Sequence, residues 1–156
     1  LFNPLDLTWV TFGLIYFSVI AAIISLINKP FCLFFAIQSY GLMLMFRLFV
    51  MYLTPLDAPE KLIPLHDPFV QMFSAGDILT KDLFFSGHTA TMFLLFLVVK
   101  NRSLKVIFLF TTILVGFAVL LQHVHYSVDV AAAPVFAYSA YRIVLNVRHR
   151  LKLNCD

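Results

Sequence analysis

Long apolar runs separated by short polar segments make up most of this chain. They cover residues 7–27, 31–53, 83–99, 106–121 and 126–145. A helix needs about 20 mostly apolar residues to cross a bilayer, so each run predicts a helix of spanning or nearly spanning length. The pattern therefore predicts an all-α polytopic membrane helix bundle of about five spans, forming a single domain over residues 1–156.

The composition supports a membrane protein over a water-soluble one. Of the 156 residues, 62% are hydrophobic and 12% are charged, whereas soluble domains average about 45–50% apolar and about 25% charged residues. The formal net charge is only +3, and the basic residues form no continuous basic face. These features predict the bilayer as a partner and no nucleic acid.

The positions of the basic residues predict an orientation. The segments after the first, third and fifth runs must lie on one side of the membrane, and they contain Lys29, Lys100, Arg102, Lys105, Arg148, Arg150 and Lys152. Loops rich in lysine and arginine are typically cytoplasmic. These segments, including the basic C-terminal tail, are therefore predicted to be cytoplasmic. Segment 54–82 is then predicted to lie on the opposite side, which is extracytoplasmic or lumenal.

Polar residues of catalytic type occur where three of the runs approach that opposite side. They are Arg47 in the second run, "SGHT" at 86–89, and "HVHYSVDV" at 123–130. Ionisable groups at membrane depth are costly, so they indicate a functional site by default. His125 and Asp129 are four residues apart, which on a helix places both on one face. The carboxylate can then orient the imidazole and leave its other nitrogen available as a nucleophile.

The "SGHT" stretch and Arg47 supply groups that bind and protonate phosphate. Ser86 can cap a helix, Gly87 permits close approach, and a helix N-terminus attracts anions. His88 on the first turn can act as a general acid and base. Arg47 suits bidentate phosphate binding, and Lys81 is a weaker candidate for the same role.

These residues together predict phosphoryl transfer without a metal or other cofactor, because the spans carry no carboxylate cluster. Three alternatives stay open. His88, His123, His125 and Asp129 could ligate zinc, although His123 and His125 would face differently on a continuous helix. Paired histidines could hold a haem. The polar residues could instead serve packing in a non-enzymatic membrane protein, with His123 structural or a hydrogen-bond partner of the site.

Over about residues 40–140 the chain resembles the type-2 phosphatidic acid phosphatase superfamily, and more narrowly its sphingomyelin-synthase-like branch. "SGHT" resembles the second motif of the family, and "HVHYSVDV" resembles the synthase form of its third motif, H-Y-[S/T]-x-D. Arg47, followed by "YLTPLDAP" at 52–59, resembles the end of the second synthase span and its proline-containing loop.

The resemblance implies a phosphohistidine intermediate on His125, with Asp129 as its orienter and His88 as acid/base. It implies a metal-independent reaction on the extracytoplasmic or lumenal side, with a lipid phosphate or phospholipid as substrate. Water as acceptor would make a lipid phosphatase, the preferred interpretation. Ceramide or diacylglycerol as acceptor would make a head-group transferase.

The chain also departs from the family pattern. The phosphatases usually have an arginine six residues before the nucleophile, and that position is Val119 here. Tyr40 replaces a lysine of the first motif, and Leu48 replaces the proline after its arginine. Six spans are typical of the family, against the five predicted here. Whether Glu60, His66 or Asp67 reaches the site does not follow from the sequence.

Overall fold

The computed structural model describes residues 5–53 and 85–153, which form five helices and confirm the predicted all-α bundle. In chain order they are α1 (Thr8–Leu26), α2 (Pro30–Leu53), α3 (Gly87–Val98), α4 (Arg102–Leu121) and α5 (Ser127–Arg150). Four of them, all except α3, are long and apolar enough to cross a membrane. That residues 1–156 form a single domain stays a prediction.

Helix α3 is shorter than the apolar run from which a span over 83–99 was predicted. Ser86 has an extended backbone and its hydroxyl accepts the Thr89 N–H at 3.4 Å, so the helix begins only at Gly87. Val99 is extended again, and the Asn101 side chain caps the beginning of α4. Twelve residues give about 18 Å of helix, which is less than the ~30 Å hydrocarbon core.

This short helix lies at the centre of the bundle and contacts each of the other four helices. Its buried side chains include Ala90, Met92 and Leu94. The short connections between α1 and α2, α3 and α4, and α4 and α5 make those pairs antiparallel. Phe12 of α1 contacts His88 of α3, so the start of α3 lies at the same end of the bundle as the starts of α1 and α5.

Small residues allow α5 to approach its neighbours closely. Ala133, Ala137 and Ala140 are fully buried, and their spacing of four and three residues places them on one face. Small residues at helix interfaces let backbones pack tightly within membranes. Farther toward the start of α5 than Ala137, the Phe136 ring stacks on Phe85, with centroids 4.6 Å apart. Phe85 precedes α3, so this contact fixes α5 against the beginning of α3.

Most charged residues of the described ranges lie near one or the other end of the bundle. Helices α1, α3 and α5 end, and α2 and α4 begin, at the end that carries the basic residues. The two carboxylates in ranges 5–53 and 85–153, Asp6 and Asp129, lie at the opposite end. One detail was predicted wrongly: α5 continues to Arg150 instead of ending near 145, so Arg148 belongs to the helix and is buried.

Candidate functional site

The beginning of α3 is built around a contact between a glycine and an arginine. Gly87 is the first residue of α3, and the Arg47 guanidinium from α2 lies directly against it. A Cβ added to Gly87 would stand 2.9 Å from Arg47 Cζ and overlap a terminal guanidinium nitrogen. The absence of a side chain at this position therefore lets a cation lie at the N-terminus of a helix.

His88 follows on the first turn of α3 and is half-buried. Its ring meets Phe12 of α1 edge-on, with ring centroids 5.6 Å apart. Phe12 did not emerge from the sequence, since an aromatic residue inside an apolar run carries no distinguishing signal. His88, Gly87 and Arg47 line one cavity, so the structure brings these three predicted residues together.

His125 and Asp129 are close together, but for a different reason than the one predicted. Helix α5 begins at Ser127 with Tyr126 as its N-cap, so His125 precedes the helix. Asp129 reaches back instead: its Oδ2 accepts the Tyr126 N–H at 2.9 Å. The same oxygen is 3.8 Å from His125 Nδ1. That distance exceeds a hydrogen bond, so the carboxylate lies beside the imidazole and is hydrogen-bonded to the backbone.

A backbone hydrogen bond connects the two halves of the site. The Ser86 N–H donates to the Asp129 carbonyl at 3.2 Å, which joins the start of α3 to the start of α5. Ser86, His125 and Asp129 are all buried. Asp129 Oδ1 is buried and accepts no hydrogen bond from the parts of the chain that the structure describes. A buried polar atom in this state is costly, which is characteristic of a group kept for function.

Two residues beside the site have positive φ angles, a conformation uncommon for residues other than glycine. They are Phe85, with φ of 38°, and His123, with φ of 55°. His123 ends α4: its N–H donates to the Leu120 carbonyl, and the Val124 N–H donates to the Val119 carbonyl. This is a Schellman motif, in which glycine is the usual residue at the position of His123. His123 thus has a conformational role.

An elongated cavity of about 510 Å³ runs between α1, α2 and α3 from this site toward the basic end. Arg47, Gly87 and His88 form its polar end. Farther along, its lining is apolar and includes Ala22, Leu26, Leu33, Ala36, Leu94 and Val98. His125 and Asp129 are not among its lining residues, so the cavity reaches the α3 side of the site.

A polar cluster that the sequence did not reveal fixes α1 beside the site. Gln122, at the end of α4, is fully buried, and its Nε2 donates to Thr8 Oγ1 at 3.0 Å. Thr8 in turn donates its N–H to Asp6 Oδ1 at 3.0 Å. Side-chain and backbone hydrogen bonds from Thr8 lower the pKa of Asp6 below its usual value. The cluster keeps the start of α1, and with it Phe12, in place.

Some predicted residues lie outside the described ranges, and one proposed assembly does not form. Lys81, Glu60, His66 and Asp67 fall outside residues 5–53 and 85–153. Within those ranges no group of three or more His, Cys, Asp or Glu side chains is arranged to hold a metal ion. The zinc alternative, which would draw His88, His123, His125 and Asp129 together, has no geometric support there.

Comparison with known proteins identifies the segment that contains most of this site. Residues 81–146 match the family model described as PAP2 superfamily C-terminal. This segment, less than half of the chain, is therefore similar to PAP2-superfamily proteins. The resemblance to the type-2 phosphatidic acid phosphatase superfamily is thereby confirmed. The PAP2 segment includes Ser86, Gly87, His88, His125 and Asp129, while Arg47 joins it from α2.

The PAP2 match does not assign the chain to a branch of the superfamily. The sphingomyelin-synthase-like branch is not confirmed and stays a prediction. No curated protein and no solved structure matches the chain.

Proposed function

We propose that this protein is an integral-membrane lipid phosphatase that cleaves a lipid phosphate monoester through a phosphohistidine on His125, without a metal ion. The PAP2 domain supports the broader class, a membrane phosphatase or phosphotransferase acting on lipids. The observation that carries the finer proposal is the junction of α3 and α5. There the Ser86 N–H meets the Asp129 carbonyl, and Arg47 lies against Gly87.

Phosphate binding falls to Arg47 and the N-terminus of α3. The first N–H groups of a helix lack partners within it, and the helix dipole adds partial positive charge. An arginine beside such a terminus offers a planar fork of donors that matches phosphate geometry. Both features meet at Gly87, so a phosphate there would be held by backbone and guanidinium together.

The chemistry then needs a nucleophile and a proton donor on the two sides of that phosphate. His125 attacks phosphorus, a nitrogen–phosphorus bond forms, and the bond from phosphorus to the lipid oxygen breaks. His88 gives its proton to that leaving oxygen. In the second step His88 takes a proton from water, the water oxygen attacks phosphorus, and the nitrogen–phosphorus bond breaks to release inorganic phosphate. Asp129 stabilises the positive charge that develops on the His125 ring.

The elongated cavity supports a lipid as the substrate. It is cationic at the Arg47 end and apolar toward Leu26 and Val98. This polarity matches an anionic head group followed by a hydrocarbon chain. We place the chain of the substrate in this cavity, with its phosphate at Gly87.

The charge distribution supports an extracytoplasmic or lumenal position for the site. The candidate site lies at the end of the bundle opposite to Lys29, Lys100, Arg102, Lys105 and Arg148. Because basic segments are preferentially cytoplasmic, the phosphate site is assigned to the other membrane face.

The proposal is tested by incubating the purified full-length protein with phosphatidic acid in detergent containing a chelator. We expect release of inorganic phosphate and an acid-labile phosphoprotein after rapid quenching. The His125→Ala variant should fold normally and give neither product. His149→Ala removes an exposed histidine at the opposite end and should keep both. Phosphate release by His125→Ala at the normal rate would disprove the role of His125.

One observation favours a second candidate, head-group transfer to ceramide or diacylglycerol. Val119, where the phosphatases usually have an arginine, is completely buried in the apolar core. The site thus lacks an arginine at this position, which departs from the phosphatase pattern. Adding ceramide and a phosphocholine, phosphoethanolamine or phosphoinositol lipid distinguishes the two functions. A new lipid product without phosphate release would establish transfer in place of hydrolysis.

A further inference from the structure

A second pocket, separate from the candidate active site, opens at the basic end of the bundle. It has a volume of about 300 Å³ and lies where α3 and α5 end and α4 begins. Its basic lining residues are Lys100, Lys105, Arg148 and His149. Its other lining residues include Phe35, Leu97, Val98, Tyr141 and Leu145. The pocket therefore combines a basic part with an apolar part.

Arg148 is the most unusual of these residues because its charge is buried, with 4% of the residue exposed. Its guanidinium donates to Gln38 Oε1 at 2.9 Å, to the Phe31 carbonyl at 3.1 Å and to the Leu153 carbonyl at 3.1 Å. It also lies 5.8 Å from the ring centroids of Phe34 and Phe35. All of these partners are uncharged.

A buried cation is costly unless a negative charge compensates it. The carboxylates in the described ranges, Asp6 and Asp129, are at the opposite end of the bundle and do not line this pocket. The last turn of α5 provides partial negative charge from its carbonyls. That accounts for basic residues at a helix C-terminus, but Lys105 comes from the first turn of α4, where the dipole is unfavourable to a cation.

We propose that this pocket binds the phosphate-bearing head group of an anionic phospholipid, in the leaflet opposite the candidate active site. Lys105 and Arg148 would attract the phosphate, and the apolar part would contact the beginning of an acyl chain. Basic pockets between membrane helices are known to suit such head groups. The apolar part of the lining favours a phospholipid over free phosphate. This site does not depend on the proposed catalytic function.

The test measures the thermal unfolding of the full-length protein in detergent with added phosphatidylglycerol, phosphatidylcholine or inorganic phosphate. Phosphatidylglycerol should raise the melting temperature, while the other two should not. Lys105→Gln should require about fivefold more phosphatidylglycerol for the same shift, and Lys105→Arg should restore it. Arg148 is left unchanged because its hydrogen bonds connect α5 to α2.

Arg102→Gln is the matched control, since Arg102 is exposed at the same end but does not line the pocket. It should respond to phosphatidylglycerol as the unmodified protein does. An equal loss in Arg102→Gln and Lys105→Gln would show that general surface charge attracts the lipid and would overturn the proposal. Equal stabilisation by inorganic phosphate would overturn the assignment to a lipid.

Discussion

At the scale of single residues, Gly87 decides whether Arg47 can lie at the N-terminus of α3. We predict that Gly87→Ala displaces the guanidinium, because the added Cβ overlaps it. A charge-assisted hydrogen bond contributes about 1.5–3 kcal/mol, so kcat/KM for phosphatidic acid should fall about tenfold or more. Phosphate release under chelator is the measurement.

The control for this prediction is Gly41→Ala on α2. A Cβ there meets no atom within 4 Å, so the variant should keep full activity. Equal activity of the two variants would mean that the contact between Gly87 and Arg47 does not matter for turnover.

The backbone conformation of His123 predicts a substitution that stabilises the protein. In its left-handed conformation a residue with a Cβ costs about 1–2 kcal/mol, and glycine avoids this penalty. His123→Gly should therefore raise the melting temperature by about 2–8 °C and leave phosphate release unchanged. A more stable but inactive variant would show that the His123 side chain contributes to turnover in addition to its conformational role.

The sequence identified most candidate site residues but not how they meet. Short spacings are visible in a sequence, so His125 and Asp129 could be paired, although the pairing arises from capping and not from a shared helix face. The contact of Arg47 with Gly87 depends on how α2 packs against α3. The burial of Arg148 depends on α5 continuing beyond its apolar run. Neither feature can be predicted from the residues close to it in the sequence.

At the scale of helices, hydropathy predicted the order of the elements in residues 5–53 and 85–153 better than their ends. Apolar runs report where side chains avoid water, whereas helix ends are set by hydrogen bonds of individual residues. Ser86 and Asn101 begin α3 and α4 in this way. Helix α5 extends past 145 because polar residues sustain a helix as well as apolar ones do.

The small-residue face of α5 yields a prediction at the same scale. Ala137→Leu inserts a larger side chain where no part of Ala137 is exposed. Overpacking of this kind costs about 1–3 kcal/mol, so thermal unfolding should occur at a lower temperature. Val135→Leu is the control, since Val135 is 63% exposed and should tolerate the change. Equal stability of both variants would show that α5 is not closely packed along this face.

At the scale of the whole molecule, the two ends of the bundle differ in the polar residues that they carry. One end contains the joined starts of α3 and α5 with Arg47, and the other contains Lys100, Lys105 and Arg148. The elongated cavity extends from the first end into the apolar interior. A phosphate bound at Gly87 could thus reach the proposed catalytic groups while its lipid chain lies between the helices.

This arrangement predicts selectivity for chain length. Ala36 lines the cavity far from its polar end. It precedes Arg47 by 11 residues on α2, which corresponds to a depth of about 16 Å. Ala36→Phe should block the deep part of the cavity while leaving Arg47 and His88 in place. Because a bilayer is as apolar as the cavity, the effect is steric and not a loss of hydrophobic burial.

We therefore expect the ratio of kcat/KM for dipalmitoyl over dioctanoyl phosphatidic acid to fall about tenfold in Ala36→Phe, as a clash of about 1.4 kcal/mol would cause. Met45→Phe on the same helix changes a side chain that is 65% exposed and should not alter the ratio. If Ala36→Phe slows both lipids equally, the substrate chain does not enter this cavity, while phosphate release itself would still support catalysis at the junction of α3 and α5.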